Sequence, residues 1–103
     1  MITTLVQFQI EGSDQVEAIK KVFADSVPGY QQVPGLIRKY YLISEDRSKA
    51  GGVYLWKTRE DADALYNDEW KQMIRDKYGS DPVILYFESP VIVDNQYGET
   101  HIE

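Results

Sequence analysis

Apolar and polar residues alternate at the start of the chain and predict a strand over residues 2–10. Apolar side chains recur on one face of this strand, at Ile2, Val6, Phe8 and Ile10, because successive side chains of a strand point to opposite sides. The other face carries threonine, leucine and glutamine. That face is too polar for an ordinary core, so we expect it to border a cavity or a partner.

The apolar spacing then changes to a helical period, and we predict a helix over residues 14–26. Its apolar stripe consists of Val16, Ile19, Val22 and Phe23. Asp14 and Glu17 have the spacing of a capping box at the start of this helix. Pro28 and Gly29 are expected to end it, because proline cannot donate a helical hydrogen bond.

Two apolar runs flank a polar loop over residues 44–52. The first run, Leu36 to Ile43, and the second, Val53 to Trp56, are rich in β-branched and aromatic residues and predict strands. The loop before the second run ends in Gly51 and Gly52. Two glycines here permit either a bulge or a close approach of two backbones.

A second helix is predicted after the second of these strands. Thr58 is suited to cap it, with Asp61 three residues later as a short-armed capping partner. Asn67 and Asp68 are expected to loosen its middle, because their side chains compete for backbone hydrogen bonds, and Gly79 stops it. Its apolar face consists of Ala62, Leu65, Tyr66, Trp70, Met73 and Ile74.

Two apolar runs near the end predict a strand over residues 83–88 and a short strand over residues 91–93, followed by a polar tail over residues 94–103. The element order is β-α-β-β-α-β, which predicts a ferredoxin-like α+β fold with an antiparallel sheet in one domain over residues 1–103. Both helices must then lie on one face of the sheet.

Large aromatic residues fall on both faces of the predicted strands, namely Tyr40, Tyr41, Tyr54, Trp56, Tyr86 and Phe87. A sheet that is apolar on both faces needs a second cover. We therefore predict a homodimer in which the sheets of two chains pack face to face.

The composition narrows the possible functions. With 103 residues, 43% hydrophobic and 27% charged, the chain is globular. A net charge of −6 argues against nucleic-acid binding. We expect no membrane segment and no signal peptide, and the absence of cysteine fits a cytoplasmic protein. A single histidine, His101, gives no basis for a histidine-rich metal site or a Ser-His-Asp triad.

The segment over residues 34–66 resembles the YdhR-like family of monooxygenases. The resemblance is carried by Pro34-Gly35-Leu36, by Lys39 and Glu45, and by the run AGGVYLW over residues 50–56 with Ala62 and Tyr66 after it. It implies a dimeric α+β barrel with a ligand cleft between helices and sheet in each subunit. In the wider group, polyketide-like phenols are oxidised without metal or flavin, because the deprotonated substrate itself donates electrons to dioxygen. The resemblance therefore implies no cofactor and a small hydrophobic or aromatic ligand.

The candidate catalytic residues are Trp56, Tyr54 and Tyr41. Trp56 has an indole N–H that needs a partner when buried, and a ligand oxygen is one such partner; a packing role is the alternative. Tyr54 shares its face by alternation. The candidate substrate-binding residues are Gln7, Arg38, Tyr66, Trp70 and Tyr86.

Some of the binding candidates have equally simple structural explanations. Tyr66 and Trp70 lie one helical turn apart and fit a core stripe. Arg38 and Lys39 alternate across their strand, so one faces the helices and the other the dimer side. A cation there stabilises an enolate or phenolate, or reaches solvent as a surface side chain.

Two other functions fit the same sequence. One is a non-catalytic small-molecule-binding or stress-response protein. The other is an isomerase or cyclase that uses a tyrosine or lysine as its acid–base group. Both predict an apolar cleft on the same fold.

Overall fold

The computed structural model describes residues 1–103 and is a ferredoxin-like α+β fold. The elements are β1 Ile2–Gln9, α1 Val16–Gln31, β2 Leu36–Ile43, β3 Lys49–Trp56, α2 Arg59–Leu65, α3 Asp68–Tyr78, β4 Val83–Glu88, β5 Val91–Asp94 and β6 Glu99–Ile102. A four-stranded antiparallel sheet has the order β2-β3-β1-β4, and β5 and β6 form a separate hairpin.

The predicted alternation of β1 is confirmed. Val6 and Phe8 are buried in the core together with Tyr54 and Trp56 of β3. In the register of the sheet, Thr4 lies opposite Tyr54 on one side and Tyr86 on the other. The face that carries these residues, called the inner face below, is the one that the helices cover.

The first helix begins and ends later than predicted. Asp14 lies in a short 3₁₀ turn, and no side chain caps α1. Pro28 does not end the helix, which continues to Gln31. Proline removes one hydrogen bond from the ladder, but the longer helix places the Tyr30 hydroxyl 3.0 Å from the indole nitrogen of Trp70, which donates to it. This tertiary contact and the packing around it offset the local penalty.

The predicted second helix is two helices. Thr58 caps α2 as predicted, because its hydroxyl oxygen accepts the backbone N–H of Asp61 at 3.1 Å. Asn67 breaks the segment completely, since its side chain accepts the N–H of Trp70 at 2.8 Å and so caps α3. Gly79 ends α3 in the left-handed conformation, φ 87°, as predicted.

The third strand begins at Lys49, four residues before the predicted start, and its glycines lie inside the sheet. A Cβ atom on Gly51 would lie 1.8 Å from the carbonyl oxygen of Val6. The glycines therefore serve the close backbone approach that was one of the two expectations. The irregular register lies instead in β2, between Leu36 and Arg38.

The segment predicted as a polar tail contains a strand. Residues 99–102 pair with β5 in an antiparallel hairpin, with His101 opposite Ile92. Asp94 shapes the turn, because its Oδ1 accepts the backbone N–H groups of Gln96 and Tyr97 at 3.0 and 3.2 Å. The side chain of Arg38 in β2 holds the hairpin through Asp94 at 2.9 Å.

The face of the sheet opposite the helices, called the outer face below, exposes large apolar side chains. Its middle row contains Tyr40, Val53, Leu5 and Leu85 in register. Leu85 is 44% exposed and Phe87 in the neighbouring row is 52% exposed. Among the helices, none has the length and apolar character needed to span a membrane.

Replacing Gly51 by alanine should lower the free energy of unfolding by more than about 2 kcal/mol, because the added methyl group meets the backbone of β1. Urea denaturation measures this loss. Gly29→Ala is the matched control, since a Cβ atom there meets nothing within 4 Å. It should be neutral or should stabilise by up to about 1 kcal/mol. Equal effects of the two changes would contradict the packing explanation.

Candidate functional site

A buried hydroxyl organises the aromatic residues of the inner face. Thr4 and Trp56 are both 0% exposed. The indole N–H of Trp56 donates to the Thr4 hydroxyl oxygen at 3.1 Å, and this oxygen lies 2.6 Å from the hydroxyl of Tyr66. The polar group of Trp56 is therefore satisfied within the protein.

The aromatic contacts continue from Tyr66 towards the first helix. The Tyr66 and Trp70 rings lie edge to face with centroids 4.8 Å apart. Trp70 in turn donates its indole N–H to the Tyr30 hydroxyl. Tyr30 lies edge-on to Tyr54, with ring centroids 6.0 Å apart. One continuous set of rings thus links α2, α3, α1 and the sheet.

A cavity remains beside these rings, between the sheet and helices α1 and α3. Its volume is about 30 Å³, and its walls include Tyr30, Lys39, Tyr41, Tyr54 and Tyr78. A groove of about 380 Å³ lies between the end of α1 and the edge strand β2. Tyr30, Lys39 and Tyr41 line both. The groove lies within the range of volumes typical of small-molecule sites.

Lys39 occupies the junction of cavity and groove. Its Nζ lies 3.3 Å from the ring centroid of Tyr30, 3.9 Å from that of Tyr41 and 4.6 Å from that of Tyr54. Gly52 leaves room for it, because a Cβ atom there would lie 3.4 Å from Lys39 Cε. No carboxylate lines either space.

Burial lowers the pKa of Lys39 from 10.5 to about 7, and the charge of Lys77 on α3 lowers it further in the same direction. Burial shifts the pKa of three tyrosines in the opposite direction. Burial raises the pKa of Tyr78 to about 12 and also raises the pKa of Tyr54 and Tyr41. Near neutral pH the tyrosines therefore remain hydroxyl donors, and Lys39 is the group that exchanges a proton.

The structure brings most of the candidate residues to one face. Tyr41 and Tyr54 line the cavity, and the Tyr41 hydroxyl lies 2.8 Å from Ser26 Oγ. Trp56, Tyr66 and Trp70 form the adjoining cluster described above.

The remaining candidates lie farther from the cavity. Tyr86 is on the inner face, with the Arg59 guanidinium carbon 3.6 Å from its ring centroid. Gln7 is on the outer face, in register with Gly51 and Val83. Arg38 contributes to the groove, but its guanidinium bonds Asp94 of the hairpin. The structure does not bring Gln7 and Arg38 together with the tyrosines.

Sequence reasoning missed Tyr30, and it did not select Lys39 as a site residue. Tyr30 was missed because the helix was predicted to end at Pro28, which placed Tyr30 outside it. Alternation placed one of Arg38 and Lys39 on each face without saying which. The irregular register after Leu36 decides which of the two residues faces the helices. Residues three positions apart lie on opposite faces of a regular strand, but the extra residue places both Leu36 and Lys39 on the inner face.

The family follows from the sequence. The family model described as "Putative mono-oxygenase ydhR" matches residues 4–84, which include all the residues that line the cavity. The chain belongs to this family. No curated protein matches the sequence.

Solved structures share the fold. A "Putative antibiotic biosynthesis monooxygenase" from Nitrosomonas europaea has a TM-score of 0.65 at 22% identity, covering 86% of this chain and 98% of its own. A monooxygenase from the gene ActVA-Orf6 of Streptomyces coelicolor, in complex with nanaomycin D, has a TM-score of 0.68 at 14% identity, covering 91% and 92%. SnoaB, a cofactor-independent oxygenase from Streptomyces nogalater, has a TM-score of 0.62 at 17% identity, covering 85% and 91%.

The pKa of Lys39 predicts a specific pH dependence of stability. Between about 7 and 10.5 the unfolded chain holds a proton on this amine that the folded chain has released, so the stability of the protein rises with pH in this window. Lys39→Met should remove this contribution. The free energy of unfolding of the variant, relative to that of the natural chain, should be highest below pH 7. This difference should fall by up to about 1.4 kcal/mol per pH unit above pH 7.

Urea denaturation across this pH window measures the difference. Lys71→Met removes an exposed lysine from α3 and serves as the control for loss of a surface lysine. A Lys39→Met difference that does not change with pH would contradict the lowered pKa.

Proposed function

We propose that this protein is a cofactor-independent monooxygenase that acts on a small aromatic or polyketide-like phenol. The observation that carries the proposal is the tyrosine-lined cavity, with Lys39 at its junction with the groove. Membership of the mono-oxygenase family supports it. The shared fold of SnoaB, a cofactor-independent oxygenase, fits the absence of a cofactor from the proposed reaction.

The proposed reaction converts a phenol with a free ring position into a quinone. One oxygen atom of dioxygen enters the product and the other leaves as water, so the substrate supplies all the electrons. A phenolate donates electrons to dioxygen more readily than the phenol, and a dry site with fixed hydrogen-bond donors stabilises the oxyanions that form. Tyr41 and Tyr54 are the proposed donors, because both line the cavity and burial raises the pKa of both.

The other candidate residues receive different roles in this proposal. Three of them position the cavity wall: Trp56 and Tyr66 share hydrogen bonds with the Thr4 hydroxyl, and Trp70 donates to the Tyr30 hydroxyl. Tyr86 closes the far edge of the aromatic cluster, with its ring centroid 6.2 Å from that of Tyr66. Arg38 borders the groove.

The proposal includes a homodimer in which the outer faces of two sheets cover each other. The row from Tyr40 to Leu85 supports this arrangement, because exposed apolar patches of this kind mark interaction sites. Gln7 lies on the same face, where its amide has hydrogen-bonding groups to offer a second chain.

Oxygen uptake with phenols and quinols, measured with an oxygen electrode and no added metal, tests the activity. Tyr41→Phe keeps the ring and removes the hydroxyl, so kcat/KM should fall about tenfold or more. Tyr97→Phe makes the same change on the exposed hairpin turn, where Tyr97 is 73% exposed, and should have no effect. A broad panel that binds without oxygen uptake would overturn the oxygenase proposal and leave a binding protein.

Light scattering tests the dimer. Leu85→Glu places a carboxylate in the middle of the outer face and should convert the dimer to a monomer, because a charge is costly to bury without a partner. Ala64→Glu introduces the same group at an exposed position of α2 and should leave the dimer intact. A natural chain that is monomeric at micromolar concentration would contradict the proposal.

A further inference from the structure

Lys39 is the only cation in the molecule that lies over three aromatic rings, and its position is unusual for a lysine. A lysine that reaches solvent extends its ammonium group into water. Here Nζ instead lies over Tyr30, Tyr41 and Tyr54, and it makes no ion pair or hydrogen bond within the protein. A half-buried amine without an acceptor from the protein has hydrogen-bonding capacity that a ligand can use.

The groups that face this amine include no carboxylate. Tyr30 comes from α1, Tyr41 from β2, Tyr54 from β3, and Lys77 and Tyr78 from α3. No aspartate or glutamate lines the cavity or the groove. The place of a counter-ion beside Lys39 is therefore open.

We propose that Lys39 is the proton acceptor of this site, and that the site selects aromatic ligands whose acidic hydroxyl is directed at Nζ. This inference rests on the proposed function for the nature of the ligand. The O–H bond of the phenol breaks and an N–H bond forms on the neutral amine, which gives a phenolate beside an ammonium. No other reactant is needed.

The surroundings of Lys39 stabilise the neutral amine before the transfer and the ion pair after it. Before binding, desolvation and the charge of Lys77 favour the neutral amine, whose pKa is about 7. After transfer, the tyrosine faces attract the ammonium, and the phenolate supplies the counter-ion that the protein lacks. The tyrosine hydroxyls remain protonated and can donate to the new oxyanion.

The volumes of the two spaces set the orientation of the ligand. A cavity of about 30 Å³ holds one small polar group, whereas the groove of about 380 Å³ accepts one or two aromatic rings. Lys39 lies at their boundary. The ligand ring therefore occupies the groove along Val27 and Leu36, and its oxygen points inwards to the amine.

para-Nitrophenol is a suitable probe, because its anion is yellow and its acid is colourless. At a pH where the free probe is mainly acid, binding to the natural protein should produce the spectrum of the anion. Lys39→Met preserves the length and apolar stem of the side chain and removes the amine. It should bind the probe about ten- to a hundredfold more weakly and without the colour change.

Two controls complete the experiment. para-Nitroanisole has the same ring without an acidic proton, so its affinity should be equal in the natural protein and Lys39→Met. Lys77→Met removes the neighbouring cation but keeps the acceptor, so the probe should still bind as the anion. Circular dichroism confirms that each variant is folded.

A colourless complex with the natural protein, an equally yellow complex with Lys39→Met, or binding of neither probe would overturn the inference. The probe reports formation of the phenolate–ammonium pair without any oxygen uptake. Failure of oxygen consumption with intact anion binding would therefore reject the oxygenase and leave the role of Lys39 standing. Oxygen consumption that persists in Lys39→Met would reject the role of Lys39 and leave the oxygenase.

Discussion

The hydroxyl of Thr4 is the interaction on which the inner face depends. It lies on the central strand, fully buried, where a hydroxyl without partners would cost free energy. Its two partners, Trp56 and Tyr66, come from β3 and from the end of α2. The position of Tyr66 sets that of Trp70, and Trp70 holds the hydroxyl of Tyr30. A single polar group in the core thereby fixes the ring that covers Lys39.

Aromatic rings in edge-to-face contact fill a core less uniformly than aliphatic side chains do, because their flat faces and preferred angles restrict how they fit together. On the inner face this leaves space beside Tyr54, and the glycines of β3 add to it by omitting side chains. The backbone approach at Gly51 and the space above Gly52 have different consequences. The first holds β1 and β3 together, and the second makes room for the stem of Lys39.

Much of the fold was predictable because local signals agreed with the tertiary structure. The alternation of β1, the cap at Thr58 and the stop at Gly79 each depend on nearby residues. The end of α1 was not predictable, because contacts of Tyr30 with residues far along the chain offset the penalty at Pro28. The hairpin strand over residues 99–102 has a polar sequence, and its pairing depends on the turn that Asp94 shapes.

The irregular register between Leu36 and Arg38 has a consequence for the chemistry of related chains. One extra residue shifts the phase of β2, so that Lys39 and Tyr41 face the helices and Arg38 and Tyr40 face away. If the same residues paired regularly from Leu36 onward, Arg38 would lie opposite Tyr54, and a permanently charged guanidinium would stand where a titratable amine now lies. The bulge, rather than any substitution, therefore decides whether the lysine or the arginine of this strand faces the cavity.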